Sequence, residues 1–133
     1  MKPVFADSFY FLALLNERDA AHDRAIVASR SVGLQLVTTE FVLLELADAL
    51  SRPQHREEVM ALWHLAETDP AFRLVPASTG LIQRGRNLYR ERRDKEWSLT
   101  DCISFVVMQE EGLSEALTGD RHFEQAGFKA LLA

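Results

Sequence analysis

The amino-acid sequence predicts an α/β fold, a three-layer α/β/α sandwich built on a short-stranded, mainly parallel central sheet. Two observations carry that prediction. Short apolar runs at Val4–Ala6, Leu34–Val37 and Phe72–Val75, and another just before Asp120, alternate with longer stretches of helical periodicity. This is the pattern of βαβ units with right-handed crossovers and helices on both faces of a sheet. The chain also has 133 residues, 47% of them hydrophobic, which suits one ordinary core, so a single domain over residues 1–133 is expected.

In chain order, Val4-Phe5-Ala6 reads as a buried parallel strand ending at Asp7-Ser8. A first helix follows from Phe9 to Leu15, with Asp7 or Ser8 as its N-cap. A second spans about Ala20 to Ser31, closed by Gly33. After the strand Leu34–Val37, the hydroxyls of Thr38 and Thr39 suit the cap of a helix from about Glu40 to Ser51. That helix is apolar on nearly every side and is expected to be largely buried. Glu45 is its odd residue, a carboxylate costly to bury without a partner or a metal, and Asp48 can share its face.

Pro53 reads as a break before an amphipathic helix from Glu57 to Glu67, whose Val59, Leu62, Trp63 and Ala66 form an inward stripe. Asp69-Pro70 signals a turn, and the strand Phe72–Val75 ends at Pro76. Ser78 or Thr79 caps a helix over roughly Gly80 to Arg93. Ser98 then caps a helix carrying Asp101 in its first turn, Gly112 turns the chain, and a short strand delivers Asp120. A short turn or helix from Phe123 to Gly127 and a last strand from Phe128 to Leu132 complete the order.

Composition narrows the function classes. The formal net charge of −5 argues against coating nucleic acid by bulk electrostatics, though not against local contact. No apolar run approaches the ~20 residues of a membrane span, and the N-terminus lacks a signal-peptide core, so a cytoplasmic protein with no membrane association is expected. Cys102 is the lone cysteine; it cannot form an intrachain disulfide and reads as a small buried residue. His22, His55 and His64 lack ligand-like spacing, and His122 reads as a surface histidine. The one basic concentration lies in the helix carrying Arg84, Arg86, Arg90 and Arg93, either a solvated face or a phosphate-contacting surface.

Four acids draw the chemistry together. Asp7 and Asp120 follow strands, Asp101 opens a helix, and Glu45 lies on the helix after the second strand. In an open parallel sheet, ligands bind outside the carboxyl ends of the strands, so Asp7, Asp101 and Asp120 are expected to converge there. Glu45 must reach back from within its helix. Each acid also has a structural role available: a cap for Asp7 and Asp101, a turn for Asp120, a satisfied carboxylate for Glu45. Clustered carboxylates repel one another unless a cation intervenes, and hard oxygen ligands suit Mg²⁺ or Mn²⁺. Metal-dependent phosphoryl hydrolysis is the chemistry this implies.

Val4-Phe5-Ala6-Asp7-Ser8, Thr38-Thr39 through Glu45-Leu46-Ala47, Ser98-Leu99-Thr100-Asp101 and Leu117-Thr118-Gly119-Asp120-Arg121-His122-Phe123 together carry a family resemblance. In their order and spacing, over almost the whole chain, the sequence resembles a PIN-domain ribonuclease, specifically the VapC-type toxins of toxin–antitoxin pairs. The resemblance implies a metal-dependent endoribonuclease whose Asp7, Glu45, Asp101 and Asp120 bind Mg²⁺ or Mn²⁺, with Ser8 and Thr118 as polar neighbours. It further implies an RNA substrate, a homodimer and an antitoxin partner; Arg84, Arg86, Arg90 and Arg93 are the candidate RNA contacts if the basic helix face is more than a solvated one. Two other readings stand beside it: a catalytically silent PIN-like module binding RNA or protein, and an RNA-processing PIN nuclease without an antitoxin.

Overall fold

A computed structural model of the chain describes residues 2–31 and 33–133. Five parallel strands form its sheet: β1 (Lys2–Ala6), β2 (Leu34–Thr39), β3 (Phe72–Val75), β4 (Glu115–Leu117) and β5 (Lys129–Ala130). Their order is β3-β2-β1-β4-β5. The chain therefore builds outward from β1 through β2 and β3, then crosses back to β4 on the other side of β1. That reversal leaves a crevice beyond the C-terminal ends of β1 and β4, where α/β sheets bind ligands.

The helices are α1 (Ser8–Leu15), α2 (His22–Ser29), α3 (Glu40–Ala49), α4 (Pro53–Thr68), α5 (Thr79–Glu91), α6 (Leu99–Glu110) and α7 (Arg121–Gln125). Crossovers between parallel strands lay helices on both faces of the sheet, the three-layer arrangement expected. Among the described residues, no helix is long and apolar enough to cross a membrane.

Helix α6 is the central helix. Residues Asp101 through Met108 are all buried, because its run of Cys102, Ile103, Phe105, Val106, Val107 and Met108 is apolar on every side. Helix α5 packs so closely on it that a Cβ at Gly85 would lie 2.4 Å from Ile103 Cγ1. An aromatic chain fixes the other side: Phe105 stands edge-on to both Trp97 and Phe123 at 4.9 Å, and Phe123 is 6.2 Å from Phe5 of β1. Edge-to-face packing of this kind ties the starts of α6 and α7 to the middle of the sheet.

Several boundaries differ from the sequence reading. Helix α4 begins at Pro53 and not at Glu57, since proline at the first helical position gives up an N–H that would have had no partner. Strand β2 runs on to Thr39, and Thr38 does not cap α3. Its hydroxyl donates to the carbonyl of Ala6 at 2.8 Å, stitching the ends of β1 and β2 together, while Thr39 alone accepts from the N–H of Val42. Helix α3 is buried on one side only, through Val42, Leu43 and Leu46, with Leu44 half exposed. Strand β5 is limited to Lys129–Ala130, although the N–H groups of Leu131 and Leu132 still reach the carbonyls of Ala116 and Thr118.

Candidate metal centre

The C-terminal edge of the sheet collects the acids. Asp7, directly after β1, holds the N-cap position of α1, yet its carboxylate makes no cap bond. It is turned instead toward β4, where the Thr118 hydroxyl donates to Asp7 Oδ2 at 2.8 Å. Thr118, wholly buried after β4, also accepts from the N–H of Asp120 at 3.1 Å, so one hydroxyl links two of the carboxylate-bearing segments. The intervening glycine is required by space: a Cβ at Gly119 would lie 2.5 Å from the ring of Phe9.

Glu45, the acid least certain to reach this edge, does so. Its Oε1 accepts a hydrogen bond from the hydroxyl of Ser8, the first residue of α1. Asp101 arrives as the third helical residue of α6 and completes a capping box with Ser98: Ser98 Oγ accepts from the Asp101 N–H at 3.0 Å, and Asp101 Oδ2 accepts from the Ser98 N–H at 3.3 Å. The cap and the site are not exclusive for this residue, because the Oδ2 that closes the box also meets His122. Asp120 caps α7 by accepting from the N–H of His122 at 2.9 Å.

His122 corrects the reading of a surface histidine. Its side chain is only 21% exposed, and Nδ1 lies 3.1 Å from Asp101 Oδ2 and 3.5 Å from Asp120 Oδ1. The signal available in the sequence was the spacing Asp-x-His: an aspartate capping its own short helix turns the residue two positions on back toward it.

Electrostatically the four acids form one group. Burial raises the Asp7 carboxyl from 3.8 to about 7, against the lowering effect of the Thr118 hydrogen bond and with added repulsion from Asp101 and Glu45. Burial likewise raises Glu45, with Asp101, Asp120 and Asp48 adding to it despite the bond from Ser8. Asp101 is raised by burial and by Asp120, in opposition to the hydrogen bond from His122. Desolvated carboxylates that push one another toward neutrality favour a cation. Among the described residues the tightest donor group is Asp101, Asp120 and His122, with one ligand atom from each within 4.8 Å of the others. Asp7 and Glu45 lie outside that group and couple to it through charge. The donors are predominantly hard carboxylate oxygens, which fit Mg²⁺ or Mn²⁺.

The basic helix is dispersed by the fold. Arg84 Nε is 2.6 Å from Glu110 Oε2 across the α5–α6 contact, whereas Arg86, Arg90 and Arg93 are exposed.

Comparison with known proteins agrees with this geometry. A 126-residue stretch is 29% identical to the 23S rRNA-specific endonuclease VapC20 of Mycobacterium tuberculosis, in strains CDC 1551 / Oshkosh and ATCC 25618 / H37Rv, covering 94% of this chain and 95% of that protein. The crystal structure of Mycobacterium tuberculosis VapC20, described as a Sarcin-Ricin loop cleaving toxin, superposes with a TM-score of 0.81 at 25% identity, over 94% of this chain and 95% of that one. The fold also matches FitAcB from Neisseria gonorrhoeae (TM-score 0.62, 16% identity, 96% and 94% coverage). It matches VapBC2 from Rickettsia felis, solved with a promoter DNA fragment, at a TM-score of 0.65 and 11% identity, with 96% of each chain covered. The family model of the PIN domain matches residues 4–129, and the chain belongs to the PIN domain family.

Proposed function

We propose that this protein, as a single domain over residues 1–133, is an endoribonuclease that hydrolyses RNA phosphodiester bonds using Mg²⁺ or Mn²⁺ held by Asp7, Glu45, Asp101 and Asp120. The observation that carries the reading is the Asp101–Asp120–His122 donor group at the C-terminal edge of the sheet, to which the buried carboxylates of Asp7 and Glu45 are coupled by charge. Likeness to VapC20, an rRNA endonuclease, supports RNA as the substrate.

A divalent ion held there supplies Lewis-acid polarisation of the phosphodiester and a water nucleophilic at neutral pH. Hydrolysis would add water across one bridging P–O bond, its hydroxyl going to phosphorus and its proton to the leaving oxygen, to give a phosphate monoester and a hydroxyl. The chain's own residues set the geometry. Thr118 fixes Asp7, Ser8 fixes Glu45, and the Ser98 N–H with His122 fixes Asp101. Holding ligands through such outer hydrogen bonds prevents a negatively charged cluster from splaying before the ion arrives.

The test is cleavage of ribosomal and total RNA with Mg²⁺ or Mn²⁺, against EDTA and against Asp7→Ala and Asp101→Ala. Both variants are expected to fold and to lose activity by orders of magnitude; cleavage equal to wild type in both would refute the mechanism. As a toxin, the protein would act in the cytoplasm as a homodimer restrained by an antitoxin, a reading supported by its likeness to the VapC20 toxin. Expression should then arrest growth, with the Asp7→Ala variant harmless.

A further inference from the structure

The acid cluster repels the very polyanion it is proposed to cut, so the strand has to be held by cations nearby. A groove of about 800 Å³ lies between the end of α5 and the start of α6 and is not lined by the four acids. Its walls carry Tyr89, Arg92, Arg93, Lys95, Glu96 and Ser98. Ser98 is the cap of the helix that bears Asp101, so one wall residue of the groove is hydrogen-bonded to a residue of the candidate metal centre.

The cations in the groove are not equivalent. Arg92 is committed: its guanidinium makes two hydrogen bonds to Asp94 at 3.0 and 2.9 Å and lies over the Trp97 ring at 5.0 Å from the centroid. It thereby covers a tryptophan that is itself buried and bonded through Nε1 to Gln125. Lys95 has only a loose 3.9 Å approach to Asp94, and Arg93 is exposed with no ion pair among the described residues. Beside them Tyr89 leaves 54% of its surface in solvent, so its ring is open to a stacking partner. A free ring beside two available cations is the combination by which proteins hold single-stranded nucleic acid.

We propose that this groove binds a single-stranded segment of the RNA flanking the scissile bond, with a base stacked on Tyr89 and phosphates paired with Arg93 and Lys95. The proposal rests on the endoribonuclease reading and replaces a broad basic helix face with a local track. Of the four arginines singled out in the sequence, only Arg93 belongs to it, joined by Lys95 and Tyr89.

The test uses fluorescein-labelled oligouridylate RNA, with binding followed by anisotropy in EDTA so that no cleavage occurs. Tyr89→Ala should weaken binding by between about five-fold and a hundred-fold, the range that loss of one base–aromatic stack produces, and Tyr89→Phe should restore it. Arg93→Ala and Lys95→Ala should each flatten the dependence of log K on log salt by about 0.7. Arg18→Ala, beyond the far end of α1, is the charge control and should change neither quantity. Failure of wild-type protein to bind the oligonucleotide, or binding within two-fold of wild type by both Tyr89→Ala and Arg93→Ala, overturns the groove assignment. A parallel reaction with Mn²⁺ keeps the two ideas apart: groove-dependent binding without metal-dependent cleavage would sink the nuclease reading and not the binding site.

Discussion

Replacing Asp7 by asparagine should make the metal-free protein more stable, and by an amount that depends on pH. In the folded protein the Asp7 carboxyl is raised from 3.8 to about 7, chiefly by burial. Between those two values the folded state keeps a proton that the unfolded chain has released, so stability falls as pH rises through the window. Below 3.8 both states are protonated and the effect vanishes; above 7 the full cost is present. At about 1.4 kcal/mol per pH unit, the interval corresponds to on the order of 4 kcal/mol. This is an upper value, because water at the partly exposed Glu45 screens some of the repulsion.

Asparagine occupies the same volume, still accepts from Thr118 Oγ1 through its carbonyl oxygen, and carries no charge at any pH. In EDTA at pH 8, Asp7→Asn should therefore raise the urea midpoint by about 1 M or more, taking a slope of about 1–3 kcal/mol/M. Trp63 and Trp97 provide the fluorescence signal. The gap should close as pH is lowered toward 4. Mg²⁺ or Mn²⁺ should stabilise the wild type more than the variant, since a ligand that binds only the native state adds to its stability and the variant has lost one carboxylate of the cluster. A gap of equal size at pH 4 and pH 8, or a wild type more stable than the variant in EDTA at pH 8, would refute the claim that Asp7 is held against its charge.

Two other substitutions probe the framework. Thr118→Val removes the hydroxyl that bridges Asp7 and the Asp120 N–H, and it should cost about 1–3 kcal/mol in urea unfolding while weakening Mn²⁺ binding measured by calorimetry. Gly85→Ala drives a methyl into Ile103 and should cost about 1–3 kcal/mol in thermal unfolding, with Ile103→Ala in the same chain recovering part of the loss; additive losses would show that α5 and α6 are not in the close contact described.

The sequence by itself determined the parallel α/β class, the cap at Ser98, the pairs Thr38-Thr39 and Ser78-Thr79 from which the fold takes Thr39 and Ser78 as caps, and the placing of Asp7 and Asp120 just past strand ends. These follow from local rules: periodicity, cap chemistry and the shortness of buried strands leave little choice of element. The tertiary structure decided what those rules cannot reach. Asp7 reads locally as a helix cap, and only the arrival of Thr118 from 111 positions along the chain turns its carboxylate away from that role. Glu45 reads as an isolated acid within an apolar helix until Ser8 meets it. His122 reads as a surface residue until α6 brings Asp101 against it. Arg84 and Arg93 look alike along one helix, yet Glu110 neutralises the first and the α5–α6 junction leaves the second free. In each case a polar group's role depends on which partner the sheet order brings to it, and strand order is a property of the whole chain rather than of any window within it.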